Sequence, residues 1–101
     1  MSVKITYDGA VMCAALEGEL DHHVAASIRR EIDDAVTRDK PRELVLDFRG
    51  VSFMDSSGIG LVMGRYRIQQ EHEGTLRVEG TSPQIRKVMR LAGLDRLAKF
   101  G

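Results

Sequence analysis

Ser52-Phe53-Met54-Asp55-Ser56-Ser57-Gly58-Ile59-Gly60 is the stretch on which the reading of this chain turns. Before it stands Glu43–Phe48 (Glu-Leu-Val-Leu-Asp-Phe), a short and mostly apolar run of the kind expected of a central strand covered on both faces. After it, a helix is predicted from near Ser57 to Glu73, with Gly74 as its C-terminal stop. A strand that passes through a polar turn directly into a helix is the building block of α/β domains.

Working outward, the upstream chain opens on two β-rich runs, Val3–Tyr7 and Val11–Glu17. They are joined by Asp8-Gly9, a dipeptide suited to a tight hairpin because glycine accepts positive φ. From Asp21 to about Arg38 the period changes: Ala25, Ile28, Ile32, Ala35 and Val36 recur at three- and four-residue steps, with charged residues between them. Asp21 is a cap for this amphipathic helix, and Pro41 closes the link to the next strand. Downstream, Leu76-Arg77-Val78 marks a strand and Ser82-Pro83 a helix start, since serine caps and proline at the first helical position loses no hydrogen bond. Ile85, Val88, Met89 and Ala92 form that helix's apolar stripe, Gly93 ends it, and Leu97–Phe100 is a last strand. The order β-β-α-β-α-β-α-β predicts a single α/β domain over residues 1–101, with a mixed, mostly parallel sheet and right-handed crossovers.

The chain has 101 residues, 43% hydrophobic and 30% charged, the balance of one ordinary globular domain. Fifteen basic and fifteen acidic side chains cancel, which argues against a bulk electrostatic grip on nucleic acid or an anionic membrane. The sum conceals a split: residues 1–50 carry seven basic and ten acidic groups, and residues 51–101 carry eight and five. A lone cysteine, Cys13, forms no internal disulfide and packs as a small apolar residue. Its run, Val11–Leu16, is too short to span a bilayer, and Met1-Ser2-Val3-Lys4 shows no signal-peptide pattern, so the expected address is cytoplasmic. A domain this small has little room for a large enclosed active site.

Chemistry concentrates where the quoted turn opens its helix. Ligand sites in open α/β sheets lie at the carboxyl ends of strands, and the first turn of a helix offers unpaired N–H groups and partial positive charge. A phosphate on serine there would be stabilised by both. Asp55 and the serines are equally ordinary helix caps, and both readings stand at this point. Gly58, Gly60 and Gly64 cost a helix about 1 kcal/mol each relative to alanine, so something other than helix stability favours them. They leave backbone uncovered for another protein to approach. Three enzymatic readings fail. Phe53 and Met54 stand where a nucleophile elbow needs glycine, and Gly58-x-Gly60-x-x-x-Gly64 has the wrong spacing for a dinucleotide site. A trio of Ser56, His22 and Asp21 is the kind any α/β domain offers by chance. No catalytic residue is expected.

The second constellation is Gly18-Glu19-Leu20-Asp21-His22-His23, read as the turn between the second strand and the first helix. Adjacent histidines diverge from a helix start and His72 is isolated, so a capping aspartate followed by two exposed histidines is preferred to a metal site. Each of the two turns follows a parallel strand, so both open on one sheet edge and could form a single docking face. Met54, Met63 and Met89 read as core filling. Arg65 and Arg67 are expected to solvate the second helix, and Arg86, Lys87, Arg90 and Arg96 the third and its exit. No aromatic residue interleaves with that basic run, as a nucleic-acid surface would require.

The two constellations, with Gly64-Arg65-Tyr66, Ser82-Pro83 and Leu91-Ala92-Gly93-Leu94, strongly resemble the bacterial anti-sigma-factor antagonists of the STAS domain family, above all those of the sporulation anti-sigma F factor. The resemblance covers nearly the whole chain. It implies a STAS-type fold and a switch protein rather than an enzyme. Members bind a serine kinase that doubles, with its nucleotide, as an anti-sigma factor, and so free a sigma factor. The kinase phosphorylates the serine after the aspartate, here Ser56, and a metal-dependent serine phosphatase resets it. Asp21, His22, Asp55, Ser57, Gly58 and Gly60 would surround the docking face, and Ser57 stays open as a secondary acceptor. The resemblance implies no cofactor or metal of its own, no direct nucleic acid and no membrane. The alternative within the family is a scaffold or ligand-sensing domain of a larger assembly. Relatives usually carry a further C-terminal helix where these residues stop at Gly101, so the expected domain is either trimmed of it or does without it.

Overall fold

Strand β2 (Val11–Leu20) shows the rule by which the sheet is built. Met12, Ala14 and Leu16 are buried, while the alternating Cys13 and Ala15 point to the other face and stay half-exposed. In the computed structural model, which describes residues 1–101, β2 pairs antiparallel with β1 (Ser2–Asp8) through the Asp8-Gly9 hairpin, where Gly9 takes φ +59°. β2 is followed by α1 (His22–Asp39), β3 (Glu43–Met54), α2 (Ser56–Glu71), β4 (Thr75–Glu79), α3 (Pro83–Leu91), a 3₁₀ turn (Leu94–Arg96) and β5 (Lys99–Phe100). The expected mixed sheet and element order are present. The strands lie in the order β1-β2-β3-β4-β5, parallel from β2 onward.

That order decides where the helices go. Each crossover steps one strand over in the same direction, and right-handed crossovers then place every helix on one face of the sheet. The core lies on that face, with Leu44, Leu46 and Phe48 of β3 against Ile28, Ile32 and Val36 of α1 and Leu61 and Val62 of α2. β3 is therefore not covered by helices on both faces, as its apolar run suggested. Its other side carries Glu43, Asp47 and Arg49, which pair with neighbours along the sheet: Arg77 Nε lies 3.6 Å from Glu43, and Arg49 Nε 3.1 Å from Asp47. Cys13 lies on this polar face, where burial first, then Asp47 and Glu79, push its thiol pKa up. No helix is long and apolar enough to cross a membrane.

β3 runs six residues past Phe48, and β2 continues beside it to Leu20. What reads as loop in the sequence, Gly18–Leu20 and Arg49–Met54, is strand. The pairing shifts register between Ala15 and Glu17 and again between Gly18 and Glu19. Such bulges need small residues: a Cβ on Gly50 would stand 2.8 Å from the Leu16 carbonyl oxygen, and Gly18 sits at φ +108°. β4 stops at Glu79 opposite Asp47, so the far half of β3 has a strand on one side only.

Three further expectations need correction. Arg65 does not solvate α2; it is 4% exposed and its Nε lies 2.8 Å from Asp33 Oδ1 of α1. The left-handed residue ending α2 is Glu73 rather than Gly74. Gly74 is small because a side chain would collide with Gln69, whose buried amide donates to the carbonyls of Pro41 and Thr75 and ties the helix exit to both flanking strands. On α3 only Ile85 and Met89 are buried, while Val88 and Ala92 are exposed. The adjacent β5 is just two residues long, too little sheet to cover the whole stripe.

Candidate functional site

Leu20 and Met54 form the last register pair of β2 and β3, and the Asp55 N–H donates to the Leu20 carbonyl at 3.1 Å. The next residue on each strand is therefore an aspartate beside its counterpart, and each caps the helix it precedes. Asp21 is extended, and its Oδ1 accepts from the His23 N–H at 2.9 Å and the Val24 N–H at 3.3 Å. Asp55 is extended likewise, and its Oδ1 accepts from the Ser57 N–H at 2.9 Å and from the Ser57 hydroxyl. The two caps are cross-linked. Asp55 Oδ2 accepts from the His22 N–H at 3.1 Å, and the His22 Nδ1 lies 3.6 Å from the same oxygen.

Three hydrogen bonds thus converge on one carboxylate, with the His22 ring beside them. The Ser57 hydroxyl, then the Ser57 N–H and the His22 groups, hold the Asp55 carboxyl below the usual carboxylate range. Asp55 is committed as an acceptor, fixing where Ser56 stands. Ser56 is the first residue of α2, exposed, with a hydroxyl in no hydrogen bond to the rest of the protein. Ser57 is half-buried, and its hydroxyl is already spent on Asp55. The resemblance names Ser56 and leaves Ser57 open beside it; in the cap geometry the Ser57 hydroxyl is the one engaged by Asp55.

The structure brings Asp21, His22, Asp55, Ser56 and Ser57 into one cluster at the carboxyl edge of the sheet, as the two turns suggested. Gly60 lies one turn beyond Ser56 on the same exposed stripe, and a Cβ there would meet nothing within 4 Å. Gly58 differs. It is buried, and a Cβ on it would strike the Met54 side chain and come within 3.2 Å of Leu20 Cδ2. Its smallness lets α2 sit down on the strand ends and leaves no surface to dock on. Against the expectation that the adjacent histidines diverge, the His22 and His23 rings lie side by side with centroids 4.0 Å apart and planes tilted by 37°, and no three His, Cys, Asp or Glu side chains converge as metal ligands do.

Next to the cluster runs a groove that the sequence did not reveal. Ser52, Phe53 and Met54 form one wall and Ser82, Gln84, Ile85 and Val88 the other, around about 230 Å³. The sequence alone reads Phe53 as part of a turn and Met54 and Val88 as packed on the core, whereas Phe53 and Val88 are exposed. The signal available was the width of the α3 stripe, too broad for the short strand after it to cover. The largest cleft, about 460 Å³, lies at the opposite end of the sheet beside Tyr7, Arg38 and Asp39. Two of its charged groups pair with each other: the Tyr7 hydroxyl donates to Asp39 at 2.5 Å and Arg38 pairs with Asp39 at 3.1 Å.

Comparison with known proteins places this geometry in context. Residues 2–101 match the STAS domain. An anti-sigma F factor antagonist of Paenibacillus polymyxa is 30% identical over 97 residues, covering 96% of this chain and 83% of the relative. One from Lysinibacillus sphaericus is 42% identical over 79 residues, covering 78% and 68% respectively. Among solved structures, the anti-sigma factor antagonist SpoIIAA in its unphosphorylated form superposes with a TM-score of 0.85 at 33% identity, over 99% of this chain and 88% of that one. The phosphorylated form of SpoIIAA, the Bacillus cell fate determinant, gives 0.78 at 33% identity, over 99% and 91%.

Proposed function

The chain belongs to the STAS domain family, and from that premise we propose that it is an anti-anti-sigma factor switched at Ser56. In the unphosphorylated state it binds an anti-sigma factor that is also a serine kinase and carries a nucleotide, and the bound sigma factor is released. The kinase then phosphorylates Ser56. The Ser56 Oγ–phosphorus bond forms as the γ-phosphoryl bond to the nucleotide breaks, ADP leaves, and the hydroxyl proton passes to a base of the kinase. A metal-dependent serine phosphatase restores the hydroxyl.

The observation that carries this reading is the asymmetry of the two serines: Ser56 presents a free, exposed hydroxyl at a helix start, while Ser57 is held by Asp55. Relatives known as anti-sigma factor antagonists, one solved both with and without phosphate, support it. The switch needs no refolding. A phosphate adds about −1.5 to −2 charge at neutral pH in the middle of a face already holding Asp55 and Asp21. A partner docking there must desolvate three neighbouring anions, whereas the α2 N-terminus keeps the phosphorylated fold itself stable. Asp21, His22, Ser57 and Gly60 frame this face.

The test is direct. The protein is mixed with its cognate kinase and ATP, and the modified residue is mapped by mass spectrometry. Modification at Ser56 that vanishes in Ser56→Ala is expected; full phosphorylation of that variant would refute the assignment. Ser56→Asp should bind the kinase more weakly by calorimetry, and unchanged affinity would remove the repulsion argument.

A further inference from the structure

We propose that Asp55 is the positioning residue that decides which of the two adjacent serines takes the phosphate: its carboxylate holds the Ser57 hydroxyl and leaves Ser56 as the one acceptor. This rests on the switch proposed above and deepens it, by naming what confines modification to a single hydroxyl.

Ser56 and Ser57 carry the same chemical group and are the first two residues of α2. A helix rises about 1.5 Å per residue, so distance along the axis does not keep a kinase seated over one serine from the other. Something else must separate them.

Capping alone does not account for the contacts of Asp55. A cap needs one oxygen for a first-turn N–H, and Oδ1 supplies it by accepting from the Ser57 N–H at 2.9 Å. Asparagine or serine would do as much. Oδ1 also accepts from the Ser57 hydroxyl, however, while Oδ2 accepts from the His22 N–H at 3.1 Å. The partners on both sides of the carboxyl group are donors. An ionised aspartate offers acceptors to both sides, whereas asparagine must turn its NH₂ group toward one of them. The His22 bond also aims the carboxylate, because swinging Oδ1 away from Ser57 breaks the tie of Oδ2 to α1.

This contact withholds Ser57 rather than activating it. To accept a phosphoryl group, a serine turns its Oγ toward the γ-phosphorus and gives its proton to a base of the kinase. The hydrogen bonds that Asp55 accepts, the Ser57 hydroxyl foremost, hold its carboxyl below the usual carboxylate range, which makes it a weak base. Ser57 is half-buried, and turning its hydroxyl outward takes a donor from a charged acceptor. A hydrogen bond to a charged group sets Ser57 back by about tenfold to a hundredfold. Ser56 is exposed and its hydroxyl has no such bond to break.

The experiment treats wild type, Asp55→Asn, Asp55→Ala and Ser56→Ala/Asp55→Ala with the cognate kinase and ATP, and maps phosphate on each serine by mass spectrometry. Circular dichroism checks that each variant is folded, and Asp55→Asn, which can still cap, decides by the same criteria where the alanine variants do not fold. Wild type is expected to carry phosphate on Ser56 alone. The Asp55 variants should raise the ratio of Ser57 to Ser56 phosphate about tenfold or more, and the double variant should be modified on Ser57. Helix fraying alone would not redirect phosphate to one particular neighbour. If folded Asp55 variants are still modified on Ser56 alone, burial rather than the carboxylate selects the serine and the proposal is overturned. If they take no phosphate, the kinase itself uses the carboxylate, which also overturns it.

A second measurement needs no kinase. In proton NMR the Ser57 hydroxyl of the wild type should be protected from exchange with water, and that protection should be lost in Asp55→Ala; an unprotected wild-type hydroxyl would overturn the proposal. Wild type phosphorylated on both serines refutes selection and leaves Ser56 as an acceptor. Wild type phosphorylated on neither refutes the switch and the selection with it, even where the hydroxyl is protected.

Discussion

The backbone N–H of His22 donates to Asp55 Oδ2 at 3.1 Å, joining residues 33 apart in sequence. The side chain that caps α2 therefore also satisfies an orphan donor of α1, and neither helix start can shift without disturbing the other. Capping aspartates are common; one that serves two helices at adjacent strand ends makes a rigid platform. Ser56 stands on that platform, so under the proposed switch a charge added there would act on a partner rather than on the fold.

Acid should loosen the platform. Hydrogen bonds from Ser57 and His22 place the folded-state pKa of Asp55 below its unfolded value, so its stabilising contribution is present above the unfolded pKa, about 4, and is lost as pH falls through the folded one. Thermal melts of Asp55→Asn are expected to match the wild type most nearly in strong acid and to fall below it from about pH 5 upward. A variant whose deficit is the same at every pH would show that the carboxylate charge is not what joins the turns.

Ser57→Ala removes the largest single influence on Asp55 and leaves Ser56 exposed. The Asp55 carboxyl should titrate at higher pH in this variant, followed by NMR of its side-chain carbon. Kinase treatment should still modify Ser56. Loss of all phosphorylation in a folded Ser57→Ala would make Ser57 an acceptor or an indispensable positioning residue.

The caps were legible in the sequence because capping is local: an aspartate before a helical pattern, with serine or histidine in the first turn, fits only a few arrangements. The meeting of the two turns on one edge followed from parallel strands. The length of β3 was not legible. Gly50 and Ser52 interrupt its apolar pattern, and what makes Arg49–Met54 a strand is pairing with β2, some thirty residues away in sequence. Arg65 was hidden differently. It shares the inward face of α2 with Gly58, Leu61, Val62 and Gln69, so two of the five buried residues are polar and the apolar periodicity is too weak to place it inside. Only the position of Asp33 on a neighbouring helix explains it.

That pair yields a sharp stability prediction. Burial pushes the Asp33 carboxyl up, against the pull of Arg65. Arg65→Ala should destabilise the fold by about 3 kcal/mol in urea titrations, from the cavity and from a half-buried carboxylate left without its partner. A raised carboxyl pKa means that ionised Asp33 weighs against folding as pH rises through the folded value. The loss in Arg65→Ala should thus be largest near neutrality and shrink below about pH 4. Arg65→Met with Asp33→Asn should recover most of it. A double variant no better than Arg65→Ala would place the cost in packing alone.

The glycines of α2 divide stability from binding. Gly60 and Gly64 have open space where a Cβ would go and a helical backbone, so Gly60→Ala and Gly64→Ala should each stabilise the protein by about 0.5–1 kcal/mol. Gly58→Ala forces Met54 and Leu20 to move and should gain nothing or lose stability, despite the same gain in helix propensity. If the stripe from Ser56 through Gly60 is where the partner's backbone comes close, the more stable Gly60→Ala should bind the anti-sigma factor less tightly, while Gly64→Ala, a turn farther from Ser56, binds nearly as the wild type does. Melts and titrations on the same samples separate the effects. A Gly60→Ala protein that is both more stable and equally tight in binding would leave the uncovered backbone without a purpose, since a helix gives up stability at that position only if something else uses the space.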